Sequence, residues 1–264
     1  MPIHEEHLAR LRTAKRQLED ASFLIRAANA AGQPLERLVT VLPTQGREAV
    51  TRATRASLDK GMDWAIATIG TAKVSHPRPW LHRSVVTASG GIGGAFGWSV
   101  LAVELPFSTL VMLRSIAAIA QEHGEDLRDP ATRLQCLAVL SYGGTTPADD
   151  AADTTYYAAR AALTTSLHRA AAHLATAMHG GQAPRSAQVV ATFISKVAGR
   201  FGIVVHQKAV AQSVPVLGAL GGATLNNLFI GHFQAVGSGH FTVRALERMY
   251  GEDAVREAYE AIGT

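Results

Sequence analysis

Two uncharged segments limit what this chain can fold into. Ser84 to Val103 is 20 residues long and lies between Arg83 and Glu104; Ala209 to Gly231 is 23 residues long and lies between Lys208 and His232. Each is long enough to cross about 30 Å of hydrocarbon as a helix. Their content argues for a different environment. The first carries Gly90, Gly91, Gly93, Gly94 and Gly97 among Ser and Thr, and the second carries Gln212, Ser213, Pro215, Asn226 and Asn227 beside Gly218, Gly221 and Gly222. Glycines four apart share a helix face and let a second backbone approach closely. Both segments therefore suit helices buried inside a bundle, and a soluble or peripherally attached protein is expected ahead of a membrane-spanning one.

The rest of the chain has helical period. Leu8, Leu11, Leu18, Ala21, Leu24 and Ile25 mark one face of a first helix, with Arg10, Arg12, Lys15, Arg16 and Glu19 around the remainder. Such a basic amphipathic helix suits a membrane surface or simple packing on the body. Gly32 and Pro34 end it, and a second helix is expected from about Gly46 to Ala72. Ser75 to Pro79 reads as an extended linker because two prolines interrupt it. A helix follows from about Leu110 to Glu122. Asp129-Pro130 is an N-cap followed by proline, and Gly143-Gly144 is a stop. Thr146 to Asp149 has capping-box spacing and opens a helix to about Met178. Another runs from about Ser186 to Ser213, and short helices near Val243–Tyr250 and Glu252–Ile262 close the chain. Gly202 to Val205 is the one β-like run. The reading is all-α: a single multi-helix domain with tightly packed, glycine-rich central helices.

Charge is distributed unevenly. Residues 1–83 hold 13 Lys/Arg against 8 Asp/Glu, and the formal net charge of +4 arises there. Thr154 to Leu246 contains no acidic residue, yet carries seven Lys/Arg, among them Lys196, Arg200 and Lys208. These three are candidate contacts for an anionic ligand or membrane surface; the alternative is that acids outside the stretch fold back to neutralise it. Nucleic acid is not expected, because the cations are spread singly among Ala, Val and Leu without aromatic interleaving. The one cysteine, Cys136, lies in an apolar run and reads as a small buried hydrophobe. No hydrophobic leader is visible at the N-terminus, so the expected location is cytoplasmic, peripheral on the inner face of the cell membrane.

Few residues carry the pattern of chemistry. Glu104 stands alone in an apolar region, where an ionised carboxylate needs a partner; Arg114 is a candidate ten residues on. Ile92–Ala95 and Leu220–Ala223 match as Ile/Leu-Gly-Gly-Ala at an offset of 128, which would set Glu104 opposite His232. A Glu104/His232 or Glu104/His240 pair could do acid–base work, with Asn226 as a neighbouring ligand-binding group. Satisfied core histidines are the competing explanation. No His-Glu-x-x-His, no phosphate-binding loop and no nucleophile elbow is present, since Val236 replaces the first glycine of Val236-Gly237-Ser238-Gly239. Neither a cofactor nor a metal is expected.

One resemblance emerges from these positions. Glu104-Leu105-Pro106, Met112 to Ala117, Gly124-Glu125-Asp126, Tyr156 to Arg160, Arg200-Phe201-Gly202, Lys208, Pro215, Gly221-Gly222-Ala223, Asn226, His232-Phe233, Gly239-His240-Phe241 and Tyr250-Gly251 occur in the order seen in the EcsC protein family. The sequence resembles that family over roughly residues 45 to 260, which divides the chain into a basic amphipathic segment, 1–44, and an EcsC-like domain, 45–264. The family takes its name from a bacterial gene beside an ABC transporter, so the resemblance implies an accessory role at the membrane, with transporter components as partners. Some members carry a peptidase label, which implies a hydrolase using the buried Glu/His pair as the alternative.

Overall fold

Every regular element among the described residues is a helix, as the 3.6-residue period requires. The computed structural model describes residues 3–19, 44–67, 101–143, 155–180, 188–213 and 222–263. They form α1 (Glu5–Glu19), α2 (Thr44–Ala67), α3 (Leu101–Glu122), α4 (Pro130–Tyr142), α5 (Thr155–Gly180), α6 (Gln188–Ser213), α7 (Gly222–Tyr250) and α8 (Glu252–Ala261). The expected linker Ser75–Pro79, the capping box at Thr146 and most of the first uncharged segment lie outside the described residues.

Local chemistry sets the boundaries that can be checked. Asp129 accepts a hydrogen bond from the Ala131 amide at 2.9 Å, Pro130 fills the first helical position, and Gly143 follows the last turn of α4. Gly251 separates α7 from α8 with φ of +89°, a conformation that glycine adopts without steric cost. Three expectations change. The helix anticipated from Leu110 begins by Leu101 and takes Pro106 inside it. The β-like run Gly202–Val205 is helical, within α6. The short helix expected near Val243 is the end of the 29-residue α7, which passes through Gly237 and Gly239 unbroken.

Gly239 is a packing site. A Cβ on Gly239 would stand 2.9 Å from the Ala14 carbonyl oxygen and 2.8 Å from Leu18, so α1 crosses α7 at backbone contact. Leu11, Ala14 and Leu18 are buried there, and α1 spends its apolar face on the bundle. Lys15, placed by periodicity on the polar side, is also buried. Its ammonium donates to the carbonyls of Tyr259 (3.2 Å) and Ile262 (2.7 Å) and so caps the end of α8.

α7 packs on α1, α3, α4, α6 and α8. Phe201 of α6 and Phe229 and Phe233 of α7 form one aromatic cluster in its core. Cys136 is fully buried in the same core, and burial pushes its thiol up to about 12. It is a packing residue, not a nucleophile.

Candidate functional site

The second uncharged segment begins beside Lys208, and the structure shows what this lysine does. Its side chain is completely buried on α6. The ammonium donates to Glu104 Oε1 of α3 at 2.7 Å and to Asn226 Oδ1 of α7 at 2.9 Å, and it sits 4.5 Å from the centre of the Phe229 ring. Gln212, one turn further along α6, donates to Glu104 Oε2 at 3.5 Å. Burial lowers the Lys208 pKa, and Glu104 acts against that shift through its charge and its hydrogen bond. Lys208, Glu104 and Asn226 thus join three helices through one buried ion pair and its hydrogen bonds.

Glu104 therefore pairs with Lys208, not with Arg114, which is exposed. Neither candidate histidine reaches Glu104. His232 donates from Nε2 to the Gly143 carbonyl at 2.8 Å, closing the end of α4. His240 lies 14 residues beyond Asn226 on α7, about 21 Å along the helix. Its ring is fixed from both sides. Gln135 presents its amide oxygen 3.2 Å from Nε2, so Nε2 carries the hydrogen, and Nδ1 accepts from the Tyr156 hydroxyl at 2.8 Å. Burial, then the charges of Arg160 and Arg244, holds the His240 pKa far below its ordinary value. The imidazole is neutral, with its lone pair already engaged, and has no free basic nitrogen for a substrate proton. Among the described residues no group of three or more His, Cys, Asp or Glu side chains could hold a metal ion.

Three of the seven cations in the acid-free stretch are paired with acids outside it. Arg160 makes a bidentate pair with Glu247 (2.5 and 2.8 Å), Arg244 a bidentate pair with Glu125 (2.9 and 3.0 Å), and Lys208 is held by Glu104. Arg248 also bonds Glu125. Lys196 donates to the Ala162 carbonyl at 2.7 Å, and Arg200 to the Ser141 carbonyl at 3.0 Å. Of the ligand-binding candidates of α6, Lys208 is buried and Arg200 partly so, while Lys196 is exposed.

These residues follow the order of the family pattern, and a sequence model built for that family decides the matter: the EcsC model matches residues 5–246. The chain belongs to the EcsC protein family. No curated protein and no solved structure matches it. The matched region includes α1, in keeping with the packing of that helix on α7.

Several concave surfaces lie among the described residues of this EcsC-family fold. A cleft of about 390 Å³ lies beside Tyr157, Arg160, His168 and Arg256, with Glu247, Glu252 and Asp253 on its wall. Its charges are mixed, and Arg160 pairs there with Glu247 and Glu252. Another is a groove of about 800 Å³ between α2 and α6. Its floor includes Val50, Ala198, Gly199, Gly202 and Ile203, and Arg47, Arg55 and His206 also line it. Sequence reading missed it because no single segment contains it. The signal available was the small and apolar residues Ala198, Gly199, Gly202 and Ile203, which share one stripe of α6.

Proposed function

We propose that this EcsC-family protein acts without chemistry of its own, as a peripheral helical protein on an anionic membrane surface. The observation that carries the reading is α6. Among the described residues it is the one helix long and apolar enough to cross a membrane, yet only 39% of its apolar window is buried in the bundle. Lys208 faces the core from this helix, while the stripe Ser195, Gly199, Gly202 and His206 lies on the opposite side and lines the groove. An apolar surface edged by arginines suits the boundary between headgroups and acyl chains. Glu104 is held by Lys208 and both nitrogens of His240 are engaged, which weighs against the Glu/His hydrolase reading. A transporter component is the protein partner that this location favours.

Flotation of the purified protein with vesicles tests the proposal. Binding to phosphatidylglycerol vesicles at low salt is expected, weakened at high salt because the surface attraction is screened over about 10 Å at 0.1 M. Zwitterionic vesicles should not bring the protein up. Protein that stays at the bottom of the gradient with both lipids would overturn the reading.

A further inference from the structure

We propose that the groove between α2 and α6 holds one acyl chain of an anionic phospholipid, with its phosphate at Arg47 and His206. The inference rests on the membrane-surface reading and deepens it by naming the ligand and the place it occupies.

The geometry gives the groove a direction. Thr54 Cγ2 lies opposite Gly202, and the charge of Arg47 acts on His206. Residue numbers therefore rise along α2 as they fall along α6, and the helices run antiparallel here. Arg47 and His206 mark one end. From His206 the groove follows α6 back to Ser195, a helical length of about 17 Å. That length accommodates most of an extended acyl chain, and the volume of about 800 Å³ is that of a small-molecule site.

Charge complementarity selects the headgroup. Among the described residues no carboxylate lines the groove, whereas two arginines do. Among the described residues Arg47 has no acidic partner and makes one long hydrogen bond, 3.4 Å, to Thr44. Arg55 meets Asp59 at 3.6 Å with both side chains exposed, a pair that a stronger anion displaces easily. Burial, and then Arg47, lowers the pKa of His206. An anion bound between the two would relieve that repulsion. A single phosphate at one end with hydrocarbon along the rest fits this arrangement.

The groove floor is open. A Cβ on Gly199 would meet no atom of the described residues within 4 Å, and one on Gly202 would meet only Thr54, at 4.0 Å. Both sit inside α6, where glycine is a poor helix former. Unlike Gly239, neither is required by a close backbone approach. Gly199 and Gly202 keep the groove deep, at a cost to the helix that protein–protein packing does not explain.

The test uses monomeric lysophosphatidylglycerol with a palmitoyl chain, below its micelle concentration, titrated calorimetrically into the full-length protein. Saturable binding of one molecule per chain is expected. Gly199→Leu/Gly202→Leu, which fills the groove without changing charge, should weaken it by about tenfold or more, and Arg47→Gln by a similar factor. The filled variant should keep the helical circular dichroism of the parent, since leucine favours helix. Unsaturable binding, or equal binding by the filled variant, would overturn the proposal. Palmitate binding as tightly as the lysolipid would overturn the phosphate assignment in favour of a free fatty acid. Flotation separates the two readings. Vesicle binding that survives in the filled variant, while lysolipid binding is lost, supports the groove and leaves the surface reading standing. Lysolipid binding without vesicle flotation supports the groove and removes the surface reading.

Discussion

Lys208→Met should destabilise the protein by about 3–5 kcal/mol, because it leaves the Glu104 carboxylate buried without its counter-ion. The substitution keeps much of the apolar stem against Phe229 but removes the donor shared by Glu104 and Asn226. The double variant Lys208→Met/Glu104→Gln removes both charges. It should recover a large part of the loss, since replacing a buried pair as a unit costs far less than breaking it. Urea unfolding of these two variants, of Glu104→Gln alone and of the parent gives the numbers. If the double variant is as unstable as the two single losses added together, Lys208 and Glu104 do not act as a pair. A structural pair of this kind also predicts no catalytic consequence beyond the loss of folded protein.

Glu125→Gln should cost about 2–3 kcal/mol at neutral pH, for it weakens a charged hub whose side chain is almost fully buried. Glu125 accepts both guanidinium bonds of Arg244, one from Arg248, and one from the Thr132 hydroxyl at 3.3 Å. Burial pushes its pKa up, but the Arg244 hydrogen bond and charge, followed by Arg248, outweigh it and hold the carboxyl below its ordinary value. The sign follows directly. A carboxylate with a depressed folded pKa contributes its stability above the unfolded value, and that contribution fades as pH falls through the folded one. The gap between parent and variant should therefore be constant near neutrality and narrow in acid. A gap independent of pH down to the acid transition would mean that packing, not the ion pairs, is what Glu125 supplies.

The helices were legible in the sequence where a local rule governed them. Asp129-Pro130 and Gly143 marked α4 because capping is decided within a few residues. α7 was harder to read: Gly237 and Gly239 look like interruptions, but the space for them is made by α1 and by Ile116 of α3, far away in sequence. Lys15 deceived for the same reason, since the carbonyls it caps belong to the last helix of the chain.

The candidate site was half legible. Glu104, Asn226 and Lys208 each stood out, the first as a lone charge and the others as motif positions. Their union did not, because 104 residues separate Glu104 from Lys208. Arg114 was suggested by proximity, yet ten residues along one helix is about 15 Å, well beyond an ion pair. The acid-free stretch was a true feature with a local explanation missing: its partners Glu104, Glu125 and Glu247 are supplied by the fold. The α2–α6 groove was not legible at all, because it is a property of two helices and of neither sequence alone.

A fluorophore at the groove tests the central claim most directly. Cys136 is buried and its thiol pushed up, so a new surface cysteine can be labelled in its presence. Ser195→Cys places an environment-sensitive probe on the exposed face of α6, and Glu257→Cys places one on the exposed side of α8. With phosphatidylglycerol vesicles, the account predicts a blue-shifted, brighter emission from the Ser195 site and an unchanged signal from the Glu257 site. A response at Glu257 with none at Ser195 would contradict it, because the surface meeting the lipid would then not be the one that α6 presents.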